Sequence, residues 1–271
     1  MENNLSGQTV VVTGASSGIG FALANQAYNQ GANIAVCARN LQKLEEAYQD
    51  LDPKRVYLQS VDVSIEKECE DFIKGAIATF GTIHVLINNA GISMRALFEE
   101  LELDVIRNLM DINFWGTVYC THFALKEIIK NKGTIVGISS VAGFRGLPGR
   151  TGYSASKFAM QGFLETLRTE LLYKKVNVMW VAPGFTSSNI RNTALAADGS
   201  SQKETPLKES ELMSADECAS IIWKGVRKRK RTIVMTLIGK STVLLNKFFP
   251  KFMDKMVFNH FAKEANSPLK K

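Results

Sequence analysis

At residues 9–20 the chain reads Thr9-Val10-Val11-Val12-Thr13-Gly14-Ala15-Ser16-Ser17-Gly18-Ile19-Gly20. The first five residues are apolar or β-branched, which is typical of a buried strand, and residues 21–30 suit a helix. A glycine turn between a strand and a helix predicts an anion site, because the helix N-terminus presents free N–H groups and the positive end of its dipole. The spacing is Gly-x-x-x-Gly-x-Gly, which differs from the Gly-x-Gly-x-x-Gly of many dinucleotide sites.

The glycines of this turn have separate expected roles. Gly14 allows the tight turn, Gly18 lets a pyrophosphate approach the backbone, and Gly20 allows close packing of the helix on the strand. The alternative is an ordinary glycine-rich loop, which the strand–turn–helix context disfavours. The sequence therefore predicts a dinucleotide site, with contacts from Gly14, Ser16, Ser17, Gly18, Ile19 and Gly20.

Apolar strand-like segments alternate with amphipathic segments of helical length up to residue 236. The strand-like segments are 9–13, 33–37, 56–61, 83–87, 134–138, 176–181 and 232–236. This alternation predicts an α/β protein with a single-domain Rossmann fold, a doubly wound parallel seven-stranded sheet with helices on both faces. Within this domain, residues 1–236, the polar stretch 185–213 is long for a connection in a compact domain, which is typical of a functional or disordered loop. Residues 237–271 form a basic, amphipathic C-terminal extension.

Tyr153 and Lys157 stand four residues apart, and Ser140 precedes Tyr153 by thirteen residues. Side chains at i and i+4 of a helix share a face, with Cβ atoms roughly 5–6 Å apart. A phenol has a pKa of about 10, and a fixed ammonium beside it lowers that pKa toward neutrality. The pair therefore fits Tyr-based general acid/base chemistry. Such a pair is more often a surface contact, so its weight depends on the other motifs.

Several motifs, in this order, resemble those of the short-chain dehydrogenase/reductase family over roughly residues 6 to 236. They are Thr13-Gly14-x-x-x-Gly18-x-Gly20, Asn88-Asn89-Ala90-Gly91, the set Asn113, Ser140, Tyr153 and Lys157, and Pro183-Gly184. The resemblance implies that Ser140 hydrogen-bonds a substrate carbonyl and that Tyr153 exchanges the proton. It also implies that Lys157 lowers the pKa of Tyr153 and holds the nicotinamide ribose, and that Asn113 holds the water that passes protons to Lys157. The same resemblance implies that the stretch 185–213 is the substrate loop. The alternative for Asn113 is a satisfied polar residue at a helix kink.

The second strand-like segment ends Val36-Cys37-Ala38-Arg39-Asn40, without the acidic residue that would bind the ribose 2′-hydroxyl of NAD. Arg39 can grip a 2′-phosphate, so this pattern predicts NADP(H), although a solvated surface arginine is the alternative. The resemblance implies further cofactor contacts from Asp62, Val63, Asn89, Ala90, Gly91, Tyr153, Lys157, Pro183, Gly184 and Thr186.

These features predict an NADP(H)-dependent oxidoreductase that interconverts a ketone and a secondary alcohol. The residues expected to border its substrate are mostly apolar: Ile92, Met94, Phe144, Leu147 and Phe185, with Arg95 and Arg145 nearby. An apolar pocket favours a 3-keto lipid or a steroid-like ring, with a 3-oxoacyl thioester as the next candidate, unless these side chains are simply core. The non-enzymatic alternative is a cofactor-binding regulatory protein that has lost turnover, although the four catalytic positions are all present.

Composition bears on the expected compartment, metal content, membrane segments and nucleic-acid binding. The four cysteines are scattered without a Cys-x-x-Cys pair, and His84, His122 and His260 lack metal-ligand spacing, so we expect a reducing cytoplasm and no metal. No signal peptide and no apolar run of membrane-spanning length are visible. The net charge of +7 comes from residues 224–271, which hold 13 Lys/Arg and 2 Asp/Glu. No nucleic-acid reader motif accompanies them, so nucleic acid is not an expected partner.

The extension mixes bulky apolar residues with lysines between residues 237 and 261. Its apolar members are Leu244, Leu245, Phe248, Phe249, Phe252, Met253, Met256, Phe258 and Phe261, and its lysines are Lys240, Lys247, Lys251 and Lys255. This composition predicts a peripheral membrane contact, and the alternative is that the segment folds back over the substrate cleft or a neighbouring subunit.

Self-association is also expected. The resemblance implies a homodimer or homotetramer formed through the helices that carry Asn113 and Tyr153. Leu164, Leu167 and Leu171 place an apolar stripe on the second of these helices, which could face a partner or the sheet.

Overall fold

The computed structural model describes residues 4–184, 186, 190–202, 212–264 and 266–269. The strands are β1 (Thr9–Thr13), β2 (Asn33–Ala38), β3 (Val56–Ser60), β4 (Val85–Asn88), β5 (Thr134–Ile138), β6 (Asn177–Ala182) and β7 (Thr232–Val234). The α-helices are α1 (Gly18–Asn29), α2 (Leu41–Tyr48), α3 (Glu66–Phe80), α4 (Leu103–Met110), α5 (Gly116–Lys130), α6 (Thr151–Glu170), α7 (Ala215–Arg227), α8 (Leu237–Phe248) and α9 (Pro250–Ala262). A π-helical turn, Asp111–Trp115, joins α4 to α5.

The seven strands form one parallel sheet in the order β3-β2-β1-β4-β5-β6-β7. The strand order reverses between β1 and β4, and this reversal opens a crevice at the carboxyl ends of the strands, where ligands of doubly wound sheets bind. The predicted fold class is therefore confirmed. Several strand boundaries differ from the predicted ones by one or two residues. The largest shift at the start of a strand is in β4, which begins at Val85 and not at residue 83, because the Ile83 carbonyl accepts a hydrogen bond from the Asn131 side chain at 2.9 Å.

Both faces of the sheet are covered. Val10 and Val12 point to the layer that contains α1 and α7, whereas Val11 points to the layer that contains α3, α5 and α6. Successive side chains of a strand alternate in this way, so a parallel strand with helices on both sides reads as a continuous apolar run. Leu164, Leu167 and Leu171 lie in the second layer, so the stripe on α6 faces the chain's own sheet and does not bear on the predicted self-association.

The C-terminal helices pack against each other and against the body of the domain. Met253, Val257 and Phe261 on the inner face of α9 form a small core with Leu147 and Leu245. The alternative in which the extension folds back on the cleft therefore holds for α9. The division of the chain at residue 236 stays a prediction.

Other expectations can be compared with the described residues. The four cysteines are buried and unpaired. No cluster of metal-ligating side chains occurs in the ranges given above. Over the same part of the chain, every helix is too short or too polar to cross a bilayer.

Candidate active site

One cleft runs along the carboxyl edge of the sheet and brings together nearly all the residues that the sequence predicts for cofactor and catalysis. Those that line it are Gly14, Ser16, Ser17, Gly18, Ile19, Arg39, Asp62, Val63, Asn89, Ala90, Gly91, Ser140, Tyr153, Lys157, Pro183, Gly184 and Thr186. Gly20 and Asn113 are the exceptions, because both are buried behind the wall of the cleft.

The glycine turn after β1 has the form that a bound phosphate requires. Gly14 has φ +65°, a conformation that side chains with a Cβ rarely adopt. A Cβ on Gly20 would lie 2.4 Å from the Gly14 carbonyl oxygen, so only glycine lets α1 approach the turn this closely. The cap residue Ser17 makes no side-chain capping bond, and the first turn of α1 carries no acidic residue. The N–H groups at this helix end therefore remain available to an anion in the cleft.

The strand β4 motif braces this turn. The Asn89 side chain donates to the carbonyl oxygens of Thr13 and Gly14, at 2.9 and 3.0 Å. The Thr13 hydroxyl in turn accepts from the backbone N–H groups of Asn89 and Ala90. These hydrogen bonds join the glycine turn to a motif that lies 75 residues later in the sequence, and both line the cleft.

Two cations stand at the end of the cleft beyond β2. Arg39 is exposed there, and Lys43, in the first turn of α2, lines the same wall. Asn40 caps α2 by accepting from the Lys43 backbone N–H at 2.9 Å, which fixes the start of the helix beside Arg39. Asp62, across the cleft, accepts from Ser64 Oγ at 2.6 Å. Sequence reasoning missed Lys43, although its position four residues after Arg39 at a helix start was a readable signal.

The catalytic end is built by β5 and α6. The Ser140 side chain is hydrogen-bonded to Tyr153, while the neighbouring Ser139 hydroxyl is occupied by Gln161 at 2.8 Å. Lys157 Nζ lies 5.7 Å from the centre of the Tyr153 ring. The structure thus joins Ser140, Tyr153 and Lys157 in one group that lines the cleft.

The proton affinities differ from the sequence expectation. Burial raises the pKa of Tyr153, and this outweighs the hydrogen bond from Ser140 and the charge of Arg150, which both lower it. Burial also lowers the pKa of Lys157 to about 8. The expectation that Lys157 lowers the pKa of Tyr153 therefore needs correction: here the cation that acts on the phenol is Arg150, and burial has the larger effect.

Asn113 lies at the π-helical turn and is fully buried. Its side-chain oxygen accepts from the Ile92 N–H at 2.8 Å, and its amide nitrogen donates to the Ile92 carbonyl oxygen at 3.0 Å and to Ser156 Oγ at 2.9 Å. The side chain is therefore held entirely by protein groups, as in the alternative of a satisfied residue at a kink. Its expected role, holding a water that passes protons to Lys157, stays a prediction.

The substrate end of the cleft is only partly as expected. Ile92, Met94, Leu147 and Arg95 line it, whereas Phe144 and Arg145 do not, and Phe185 lies outside the described residues. Arg145 instead binds the extension, 2.6 Å from Asp254. Several lining residues were not predicted, among them Arg150, Arg191, Phe261 and Glu264. Phe261 and Glu264 do not belong to a sequence motif, so their position in the pocket could not be predicted from the sequence.

Comparison with protein families matches residues 8–199 to the short chain dehydrogenase family. The chain is 37% identical over 230 residues to 11-beta-hydroxysteroid dehydrogenase-like 4A of Arabidopsis thaliana, covering 83% of this chain and 75% of that protein. It is 32% identical over 271 residues to dehydrogenase/reductase SDR family member 7B of Mus musculus, covering 97% and 84%.

Solved structures give the same fold. An alcohol dehydrogenase from Thermococcus sibiricus, complexed with 5-hydroxy-NADP, has a TM-score of 0.73 and 25% identity over 85% of this chain and 95% of its own. A short-chain dehydrogenase from Streptomyces avermitilis has a TM-score of 0.79 at 24% identity, over 93% and 98%.

Proposed function

The chain belongs to the short-chain dehydrogenase family, and on this premise we propose that it is an NADP(H)-dependent oxidoreductase that interconverts a ketone and a secondary alcohol. The observation that carries the proposal is the group of Ser140, Tyr153 and Lys157 at one end of a cleft whose other end has a phosphate-type glycine turn. A regulatory protein without turnover would have no need to keep these three side chains together in the cleft.

The proposed chemistry assigns one task to each side chain. The bound nicotinamide supplies or accepts the hydride. Ser140 donates a hydrogen bond to the substrate oxygen and stabilises the negative charge that develops on it during reduction. Tyr153 gives its phenolic proton to that oxygen, or takes it back in the oxidation direction. Lys157, held by its bond to the Ile138 carbonyl, binds the nicotinamide ribose.

NADP is the proposed cofactor because cations occupy the place where NAD-binding sites carry a carboxylate. Arg39 and Lys43 together give this wall a double positive charge, and Ala38 stands at the position of the acidic residue. A 2′-phosphate would form charge-assisted hydrogen bonds with both side chains. The 5-hydroxy-NADP in the complex of the Thermococcus sibiricus relative supports this choice.

A hydrophobic ketone is the proposed substrate. Ile92, Leu147 and Phe261 give the catalytic end an apolar surface, and such surfaces bind ring or chain hydrocarbons by removing them from water. Relatives named 11-beta-hydroxysteroid dehydrogenase support a steroid-like ring over a 3-oxoacyl thioester.

The outer side of the C-terminal helices supports a peripheral membrane contact. Among the described residues, half of the exposed large hydrophobic side chains fall between residues 237 and 258: Leu237, Ile238, Leu244, Phe248, Phe249, Phe252, Met256 and Phe258. Lys240, Lys247, Lys251 and Lys255 are exposed among them. Apolar groups mixed with lysines suit an anionic bilayer surface, from which a lipid-like ketone could reach the cleft.

A homodimer or homotetramer is proposed as well. Trp115 and Phe158 are large, 43% and 47% exposed, and lie at the start of α5 and on α6. Burying them against a second copy would remove apolar surface from water. Light scattering at micromolar concentration tests this, and the mass of a monomer would count against it.

The test of the proposed function replaces Tyr153 by phenylalanine. Tyr153→Phe removes the transferable proton and leaves the ring, so we expect turnover of ketones with NADPH to fall by a factor of about 100 or more, with cofactor binding retained. Tyr173→Phe is the matched control, because the Tyr173 side chain is 94% exposed. Ketones of the 3-keto lipid, 3-oxoacyl and steroid classes form the substrate panel. Equal rates for Tyr153→Phe and the wild type would overturn the proposal.

A further inference from the structure

The C-terminal segment brings a carboxylate to a wall of the pocket that otherwise carries cations. Glu264 accepts two hydrogen bonds from the Arg150 guanidinium, at 3.0 and 3.2 Å. The same carboxylate lies 3.6 Å from Nη2 of Arg95. Only 8% of the Glu264 side chain is exposed, with 15% for Arg150 and 7% for Arg95. All three line the cleft together with Tyr153.

Packing holds this carboxylate in place. Phe261, one turn before Glu264, is buried against Leu147, and the Arg150 guanidinium lies 4.6 Å from the centre of its ring. The Phe261 carbonyl oxygen accepts from Ser267 Oγ at 2.7 Å, which fixes the chain on the far side of Glu264. The carboxylate is thus part of the wall and not a loose surface group.

The charges of the wall explain why the carboxylate matters. A guanidinium keeps its proton at every physiological pH, so a buried arginine needs a negative partner. Burial lowers the pKa of Arg150, and Glu264 opposes that change. Among the described residues that line the catalytic end, Glu264 is the one acidic side chain, beside Arg95, Arg150, Lys157 and Arg191.

We propose that Glu264 makes the pocket select uncharged ketones over ketones that carry a carboxylate. It occupies the face of Arg150 that would otherwise receive a substrate carboxylate in the forked, two-bond geometry that guanidinium groups favour. Specificity arises here by filling an anion site with a group of the protein itself. This inference rests on the proposed function and narrows its substrate class.

The test uses Glu264→Gln, which keeps the size of the side chain and removes its charge. Two pairs of ligands are needed: a ring ketone with and without a carboxylate on the same skeleton, and the non-reducible cyclohexanecarboxylate with its amide. We expect the ratio of kcat/KM for the acid ketone to that for the neutral ketone to rise by at least about tenfold. By calorimetry, cyclohexanecarboxylate should bind the variant about tenfold more tightly than the wild type, and the amide equally to both.

Asp254→Asn is the matched control. Asp254 and Glu264 are the two acidic residues of the extension, residues 237–271. The partner of Asp254, Arg145, lies outside the cleft. This variant weakens the attachment of the extension without changing the charge of the pocket. The ratio of kcat/KM for the acid ketone to that for the neutral ketone, and the affinity for cyclohexanecarboxylate, should therefore each stay within about twofold of the wild-type value. If Glu264→Gln does not fold, Arg150→Met serves instead, and it should lower the acid-to-neutral ratio because Glu264 is then less neutralised.

The outcomes separate the two proposals. A wild-type protein that prefers the acid ketone, or ratios that neither Glu264→Gln nor Arg150→Met changes, would overturn the role of Glu264. Absence of turnover with every ketone would instead count against the proposed function, and the calorimetric comparison would still decide whether Glu264 blocks an anion site.

Discussion

Lys157 Nζ donates a hydrogen bond to the carbonyl oxygen of Ile138, 2.9 Å away. Ile138 is the last residue of β5, so the end of a central strand holds the amine beside Tyr153. Only 2% of Lys157 is exposed, and its charged form therefore lacks most of the hydration that it has in the unfolded chain. Holding the charged amine in this buried position therefore has a cost, since it lowers the free energy of unfolding.

That cost should depend on pH. The pKa of Lys157 is about 8 in the folded protein and 10.5 without burial. Below pH 8 both states carry the charge and the full cost applies; between pH 8 and 10.5 the folded state binds fewer protons, so stability rises with pH. Relative to Lys157→Met, the wild type should gain about 2 kcal/mol in the free energy of unfolding between pH 7.5 and 10, in denaturant titrations without cofactor.

The comparison with Lys157→Met cancels the contributions of other titrating groups to the pH dependence of stability. Burial raises the pKa of the Cys37 and Cys218 thiols, which favours the unfolded state as the pH rises, but both variants contain them. If the free energies of unfolding of the two proteins change in parallel between pH 7.5 and 10, the pKa of Lys157 is not lowered in the folded protein.

Cofactor choice should depend on two side chains. Arg39→Asp and Lys43→Glu each replace an attractive charge by a repulsive one at the place proposed for the 2′-phosphate, so the Kd for NADPH should rise at least about tenfold in either variant. The Kd for NADH should change by less than about threefold. Fluorescence titration measures both values.

Lys54→Glu makes the same change in charge on an exposed residue that does not line the cleft. It should leave the Kd for NADPH close to that of the wild type. Equal affinity of the wild-type protein for NADH and NADPH would mean that Arg39 and Lys43 do not discriminate.

Asn113 should contribute to stability in addition to any catalytic role. Asn113→Ala leaves the N–H and carbonyl of Ile92 and the Ser156 hydroxyl without this partner in a buried place, which should lower the free energy of unfolding by about 2–4 kcal/mol. Asn108→Ala, on the exposed side of α4, should cost less than about 0.5 kcal/mol. Equal losses for the two variants in urea titrations would show that the Asn113 network is not stabilising.

Membrane contact should depend on the outer side of the C-terminal helices. Phe248→Glu combined with Phe252→Glu replaces two exposed aromatic residues by charges that an anionic surface repels. In sedimentation with anionic liposomes at low salt, the wild type should be found in the pellet and this variant in the supernatant. Point variants are preferable to truncation because α9 also forms part of the substrate pocket.

Leu172→Glu changes an exposed apolar residue far from this surface in sequence and should leave binding unchanged. High salt should weaken binding of the wild type, since the lysines act through charge. A wild-type protein that stays in the supernatant at both salt concentrations would exclude the membrane contact.

The fold could be predicted from local sequence because its signals are local. The run Val10-Val11-Val12 and the glycines from Gly14 to Gly20 specify a buried strand, a tight turn and a helix within a dozen residues, and the structure has all three. The position of Ser140, thirteen residues before Tyr153, likewise placed two hydroxyls at one end of the cleft.

The substrate wall could not be predicted because its contacts are long-range. Arg150 and Glu264 are 114 residues apart, and neither belongs to a periodic pattern that would indicate their pairing. The pKa of Tyr153 was misjudged for a similar reason: spacing on one helix locates Lys157, but it does not reveal how much of the phenol the rest of the fold removes from water.

The late position of Phe261 and Glu264 in the chain has a consequence for biosynthesis. The last strand ends at Val234, and the residues described as lining the nucleotide half of the cleft all come before it. On the ribosome, every strand and the glycine turn are therefore made before the residues that close the substrate end. The residues of the nucleotide cradle are thus translated first and those of the substrate wall last.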